Sequence, residues 1–270
     1  IRTAAPAAAP DSQRRWMGAA LYLSLTLLVI FYSIPSVGVI ISSFKTNQEI
    51  SRGGLWSMPN QINFDNYNEA WVNGNVRTYA VNSFLVTIPA TVVSIALGVL
   101  TGYVFSKLPF RFSEGVFIFI VAGMFFPPQI VLIPLFRLFN TVGLYNTLWP
   151  MIIVHCAFGL PICTLVMRNF FSAVPTVLRE AAIIDGATEP QILLRVMLPI
   201  SLPALAVLAT LQFTWIWNDF LWPLVFTQSD SMRTIMVGLV TLKGQYSVAW
   251  GVQGAMAVIA SIPTDRKSVV

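Results

Sequence analysis

Charge is what the sequence has least of. Only 10% of its residues are Asp, Glu, Lys or Arg, against about 25% in soluble domains. With 56% hydrophobic residues and a mean hydropathy of +0.73, that shortfall excludes an ordinary water-soluble globule and points to a membrane. Histidine is nearly missing. The single one, His155, lies inside an apolar run with no carboxylate beside it in sequence, which reads as a packed residue rather than a catalytic base. The two cysteines, Cys156 and Cys163, share that run and one helix face. They exclude a disulfide framework and read as lipid-buried thiols. No phosphate-binding G-x-x-x-x-G-K-[ST] loop, Ser/His/Asp signature or Cys/His metal spacing occurs. The sequence therefore offers no catalytic residue and no metal site, and it reads as no enzyme. The net charge of +5 is not gathered into a Lys/Arg stripe interleaved with aromatics, which excludes a nucleic-acid footprint.

Long apolar runs are what the sequence has instead. It reads as an all-α polytopic membrane protein with six transmembrane helices. Residues 1–15, opened by the Ala/Pro-rich Ile1–Gln13, read as a disordered tail, and the initial Ile implies that earlier residues are missing. Arg14–Arg15 precede the first span, Trp16–Phe44, which is too long for the apolar core of a cleaved signal. Lys45–Thr78 is a polar connection in which Asn63–Trp71 predicts a short surface helix capped by Asp65. Tyr79–Lys107 is the second span, and Gly98-x-x-x-Gly102 within it permits close helix packing. Gly115–Phe136 is the third span, interrupted by Pro127–Pro128 and Pro134, which is tolerable only inside a bundle or along a cavity. Arg137–Asn146 reads as a turn. Thr147–Asn169 is the fourth span, with a kink expected at Pro161. Ile200–Phe226 is the fifth, and Thr227–Ser247 a polar loop. The sixth stretch, Val248–Pro263, spans roughly 24 Å as a helix, short of a bilayer core of about 30 Å. It reads as truncated, and Thr264–Val270 as an atypical tail.

Ten of the 16 Lys and Arg residues fall on the side of the N-terminus when the spans alternate, which places that terminus in the cytoplasm. The same side receives Leu178–Pro199, the one long segment that is polar, charged and helix-forming at once. Charge is costly in hydrocarbon, so this segment must meet water or a soluble partner. Pro175 opens a helix there, Ala181–Ala182 reduce its bulk, and Gly186 ends it or permits a sharp turn. Thr188 and Pro190 restart a helix, with Leu193, Leu194 and Met197 as its apolar stripe. A bent helix pair of this kind suits a groove on a partner. Elsewhere, Asp219 is the one acid in an intramembrane run. Such a residue marks a pathway or a buried partner. With Trp217, Asn218 and Trp222 it forms either a sugar-contacting surface of the translocation path or a set of hydrogen bonds near the outer interface.

The segment resembles the EAA loop of permease subunits in binding-protein-dependent ABC importers, whose pattern is EAA-x3-G-x9-I-x-LP. Glu180–Ala181–Ala182, Gly186, Val196 in place of Ile, and Leu198–Pro199 stand at that spacing. Asp185–Gly186–Ala187, Trp217–Leu224 (WNDFLWPL), and Gly238–Leu239, Tyr246 and Trp250–Gly251 are similar to the carbohydrate branch, of the maltose-type smaller permease. The resemblance covers residues 16–263 as one transmembrane domain. It implies a multi-pass subunit of a bacterial or archaeal cytoplasmic membrane, embedded in lipid and importing sugar. It implies as partners an ATP-binding subunit dimer, a second and different permease, and an extracytoplasmic sugar-binding protein. Glu180, Ala181, Ala182, Asp185, Gly186, Leu198 and Pro199 would couple to the ATPase, which alone would use ATP and Mg, so this chain needs no cofactor. A permease for another solute such as polyamine or phosphate, and a non-transporting membrane scaffold, remain as alternatives.

Overall fold

The computed structural model describes residues 11–245 and 249–265, and among them every regular element is helical. Helix α1 (Asp11–Ser43) takes in residues 11–15, which composition predicts as part of a disordered tail; residues 1–10 lie outside the described residues. Helices α2 (Asn47–Gly53) and α3 (Asp65–Val72) follow in the connection. The Thr46 N–H donates to the Glu49 carboxylate at 3.0 Å while the Glu49 N–H donates back to Thr46 Oγ1 at 3.3 Å, so a reciprocal cap starts α2. Lys45, fully buried, donates from Nζ to Gly54 O, Leu55 O and Ser57 Oγ. The cap of α3 is Phe64 rather than Asp65, which is the first helical residue and donates its N–H to Asn63 Oδ1. Nor does α3 lie on the surface alone, since Asn66 and Ala70 are buried.

The centre of the fold is the pair α4 (Val76–Lys107) and α7 (Trp149–Ala173). With 32 residues, α4 extends about 48 Å and overshoots the bilayer core. Small side chains let the two helices touch. A Cβ on Gly98 would lie 2.3 Å from Cys163 Cβ, and one on Gly102 would lie 2.7 Å from the Arg168 backbone nitrogen. Thr101 and Thr164 join hydroxyls across the seam at 2.7 Å. The glycine pair thus has its partner within this chain. Cys163 is fully buried in this seam and Cys156 half-buried, so both face protein more than lipid. Pro161 lies inside α7, which runs through it as one helix.

The third predicted span is not one helix. Helix α5 (Ser113–Ala122), extended by a 3-10 turn to Phe125, meets α6 (Pro128–Thr141) at 96°. Pro127 and Pro128 lack the N–H groups that would continue the ladder, whereas Pro134 leaves α6 unbroken. The turn expected at 137–146 begins only after Thr141. The polar segment continues as α8 (Thr176–Ile184), α9 (Glu189–Ile192), a π-helical turn (Leu193–Met197) and α10 (Leu198–Ile200); α11 (Leu202–Trp217) then departs at 78°. After α12 (Leu221–Phe226), the expected polar loop is mostly helix α13 (Ile235–Gln245). Ile235 and Val237 are buried, and Gly238 lets the Tyr79 ring lie against the backbone. Tyr246 and Val248 lie outside the described residues. Helix α14 (Trp250–Asp265) packs on α1, α3 and α13. Among the described residues three helices, α1, α4 and α7, are long and apolar enough to cross a membrane by themselves, and the two bent pairs bring the number to five if each is one span. The sixth expected span is not among them: α14, at 16 residues, is shorter than the helices counted as spans.

Three buried clusters follow one another along α4. One joins Val76 and Tyr79 to Phe213, Trp217, Ile235 and Met256. The next joins Val86 and Ala90 to Phe139, Met151, Trp222 and Phe226. The last joins Val99 and Tyr103 to Met167, Phe171, Ile192 and Met197. This last cluster seats the polar segment on the bundle.

Candidate functional site

Helix α8 has no buried residue. It ends at Ile184, and Gly186 in the turn that follows has φ +80°, a conformation that costs any residue with a Cβ. The Gly186 N–H donates to Ile183 O and the Ala187 N–H to Ala182 O, both at 2.9 Å, so the last carbonyls of the helix are satisfied within the turn. Gln191 Oε1 accepts from the Thr188 N–H at 2.8 Å and starts α9. The expected helix–turn–helix is therefore present.

Its faces are divided. Glu180, Ala181, Asp185, Gly186 and Pro199 are exposed, whereas Ala182 and Leu198 are half-buried against the third cluster. Successive helix positions point about 100° apart, so the two alanines serve different surfaces: Ala181 faces outward and Ala182 lets the element settle on its own bundle. In the apolar stripe Leu193 and Met197 are buried, but Leu194 is 61% exposed. The bare face of α8 also carries Val177, and Ile184 at 85% exposed.

Sequence reasoning missed the brace beneath this element. Glu189 accepts from both Nη2 and Nε of Arg179, and the Tyr103 hydroxyl of α4 donates to its Oε2 at 2.5 Å. Lys107 Nζ donates to Val174 O at 2.7 Å just before α8. The hydrogen bond to Glu189 holds the Arg179 guanidinium above its usual range. Burial pushes the Glu189 carboxyl up, but the bonds from Arg179 and Tyr103 outweigh it and keep the group below the usual carboxylate range.

The second site lies where the α5–α6 break faces α7 and α11. A cavity of about 210 Å³ is lined there by Phe126, His155, Gln212, Trp215, Asp219 and Trp222, among others. His155 Nε2 is 3.3 Å from Asp219 Oδ2. The contact is not made as a hydrogen bond, so that buried nitrogen has Asp219 beside it but no hydrogen-bond partner. Asp219 accepts the N–H groups of Leu221 and Trp222 at 3.1 and 3.2 Å, which starts α12. Of the other two residues singled out with it, Asn218 is exposed and donates to Thr214 O. Trp217 is buried, stacked on Phe213, and donates from Nε1 to Ala260 O at 2.9 Å. Of the three, only Asp219 lines the cavity. Among the described residues no three His, Cys, Asp or Glu side chains are grouped to hold a metal ion.

Comparison with known proteins matches residues 94–264 to the family described as "Binding-protein-dependent transport system inner membrane component". The chain belongs to this family. It is an ABC importer permease, a multi-pass protein of the inner membrane. It is 37% identical over 238 residues to a probable ABC transporter permease of Pyrococcus horikoshii, covering 86% of this chain and 85% of that one. It is 31% identical to the diacetylchitobiose uptake system permease protein of Streptomyces coelicolor, covering 95% of this permease and 85% of the relative. The fold of the permease matches a chain in the crystal structure of a bacterial ABC transporter that imports alginate, with a TM-score of 0.81, 23% identity and 96% of each chain covered. The matched family region contains the polar segment, the cavity and all of α14 but its last residue.

Proposed function

We propose that this permease forms half of the membrane path of an ATP-driven carbohydrate importer and takes its power stroke through residues 178–199. The observation that carries the coupling is the exposed face of α8 on a braced base. Glu180, Ala181, Ile184 and Asp185 stand free for a partner, while Arg179, Glu189 and Tyr103 tie the element to α4. An apolar and acidic face on a helix beside the membrane suits a groove in a soluble subunit. That partner is an ATP-binding subunit, in which ATP and Mg would act, and its closure must favour one state of the permease for the stroke to do work. A second, different permease completes the path, a sugar-binding protein delivers the solute outside, and the N-terminus is cytoplasmic. Uptake of diacetylchitobiose, named for one relative, supports a carbohydrate cargo, as does the WNDFLWPL segment. Tagged full-length permease should co-purify with an ATP-binding subunit that crosslinks to Ile184→Cys. Washed vesicles of its host should take up a radiolabelled sugar only when the permease is present. A preparation that never crosslinks to a nucleotide-binding protein would sink the coupling, and uptake confined to polyamine or phosphate would sink the cargo.

A further inference from the structure

We infer that the cavity between the α5–α6 break, α7 and α11 is a binding subsite for one uncharged, hydroxyl-rich ring, and that Asp219 makes it reject acidic sugars. The inference rests on the carbohydrate-permease reading above and adds to it a place in the fold and a preference for uncharged rings. Four observations carry it. His155, 7% exposed, lines the cavity, and its buried Nε2 has no hydrogen-bond partner, which is costly for such an atom. Asp219 Oδ2 stands 3.3 Å from it, and of the two side chains the carboxylate is the more open, so a ring hydroxyl could donate to it. The walls from Phe126 and Trp215, 60% and 65% exposed, supply apolar faces for the C–H side of a ring. Asp219 is the sole acidic lining residue, with no Lys or Arg among them, so a uronate would bring a second carboxylate up to it in a weakly screened site.

The position of the cavity has a cause in the sequence. Pro127 and Pro128 turn the chain through 96°, and Phe126 and Pro128 at that break line the cavity together with His155 of α7. Gly159 also lines it, and a Cβ there would lie 2.7 Å from Ser94 Oγ and 3.0 Å from Gln212 Oε1, so α7 sits close to α4 and α11 at this level. A broken helix in a membrane is tolerated where the freed backbone lines such a cavity.

The test uses purified full-length permease and its tryptophan fluorescence, titrated with glucose, N-acetylglucosamine and glucuronate. Saturable quenching by at least one neutral sugar is expected, with glucuronate weaker by at least about tenfold. Asp219→Asn should bring the neutral and acidic sugars toward parity, and exposed Trp215→Ala should weaken all binding without changing the melting temperature. Absence of saturable binding by both neutral sugars would overturn the inference, as would equal binding of glucuronate or unchanged preference in a folded Asp219→Asn. Sugar uptake by the assembled transporter is read separately. If uptake persists while the isolated permease binds neither neutral sugar, the subsite fails and the importer reading stands. If the permease binds a neutral sugar while the transporter takes up none, the subsite stands and the importer reading fails.

Discussion

Two glycines show how one hydrogen atom in place of a methyl decides a membrane protein. Gly98 faces the Cβ and backbone of Cys163, neither of which can rotate away. Gly98→Leu should therefore force α4 and α7 apart, at a cost of about 1–3 kcal/mol or more, read as a lower melting temperature in detergent. Gly115→Ala is the control: its Cβ would meet nothing within 4 Å, so no loss is expected. Gly186 differs again. Space is open around it, and only φ +80° resists a side chain. Gly186→Ala should cost about 1–2 kcal/mol locally and uncouple ATP hydrolysis from uptake, whereas Gly186→Asn should retain more coupling. Unimpaired uptake by the alanine variant would refute the role given to this turn. The sequence marked both positions correctly, but only the structure separates a glycine needed for contact from one needed for its backbone.

At the level of elements, α8 and α9 act as one lever if their brace holds. The Tyr103–Glu189–Arg179 group joins residues from three places in the chain. Removing the tyrosine hydroxyl removes one bond to a charged group, worth about 1.5–3 kcal/mol when well shielded and less here, because Glu189 is about a third exposed. Tyr103→Phe should leave the permease folded and raise the ATP consumed per solute imported, measured in proteoliposomes. The pH dependence has a definite sign. The folded-state value of Glu189 is depressed, so its contribution is present above the ordinary carboxylate value of about 4.3 and is lost as pH falls through the lower folded value. Coupling should be flat from neutral to mildly acidic pH and loosen only below that range, and Glu189→Gln should be loose throughout. A loosening centred near neutrality would exclude this carboxylate as its source. The bent pairs belong to the same scale. Periodicity reports apolar faces but not the angle at which two apolar helices meet, so the 96° turn at Pro127–Pro128 could be marked in the sequence only as an interruption.

For the whole molecule the outstanding quantity is its orientation. With the N-terminus inside, α8 faces the cytoplasm and the connection between α1 and α4 faces outward. In a background lacking Cys156 and Cys163, Trp56→Cys should react with an impermeant thiol reagent added to intact cells, and Ile184→Cys only after the membrane is opened. Both side chains are exposed, at 58% and 85%, so access is set by the membrane and not by burial. Labelling of Ile184→Cys in intact cells would invert the topology and detach α8 from any cytoplasmic motor. Expected lipid-facing surface is plentiful: α1 is almost wholly exposed along Trp16–Ile40, which suits contact with lipid or a second permease.

Composition and spacing alone determined that this chain lives in a membrane, where its charged helical segment falls, and that the segment turns at Gly186. Those properties are local: they follow from transfer free energies, helix periods and one backbone dihedral, each readable within a few consecutive residues. Tertiary structure decided the rest. His155 had no carboxylate neighbour in sequence, yet folding sets it 3.3 Å from Asp219; Trp217, adjacent to Asp219 but one in the chain, is turned into a different cluster. Which polar side chains share a cavity depends on the angles at which helices cross, and those angles are fixed by contacts between residues dozens of positions apart.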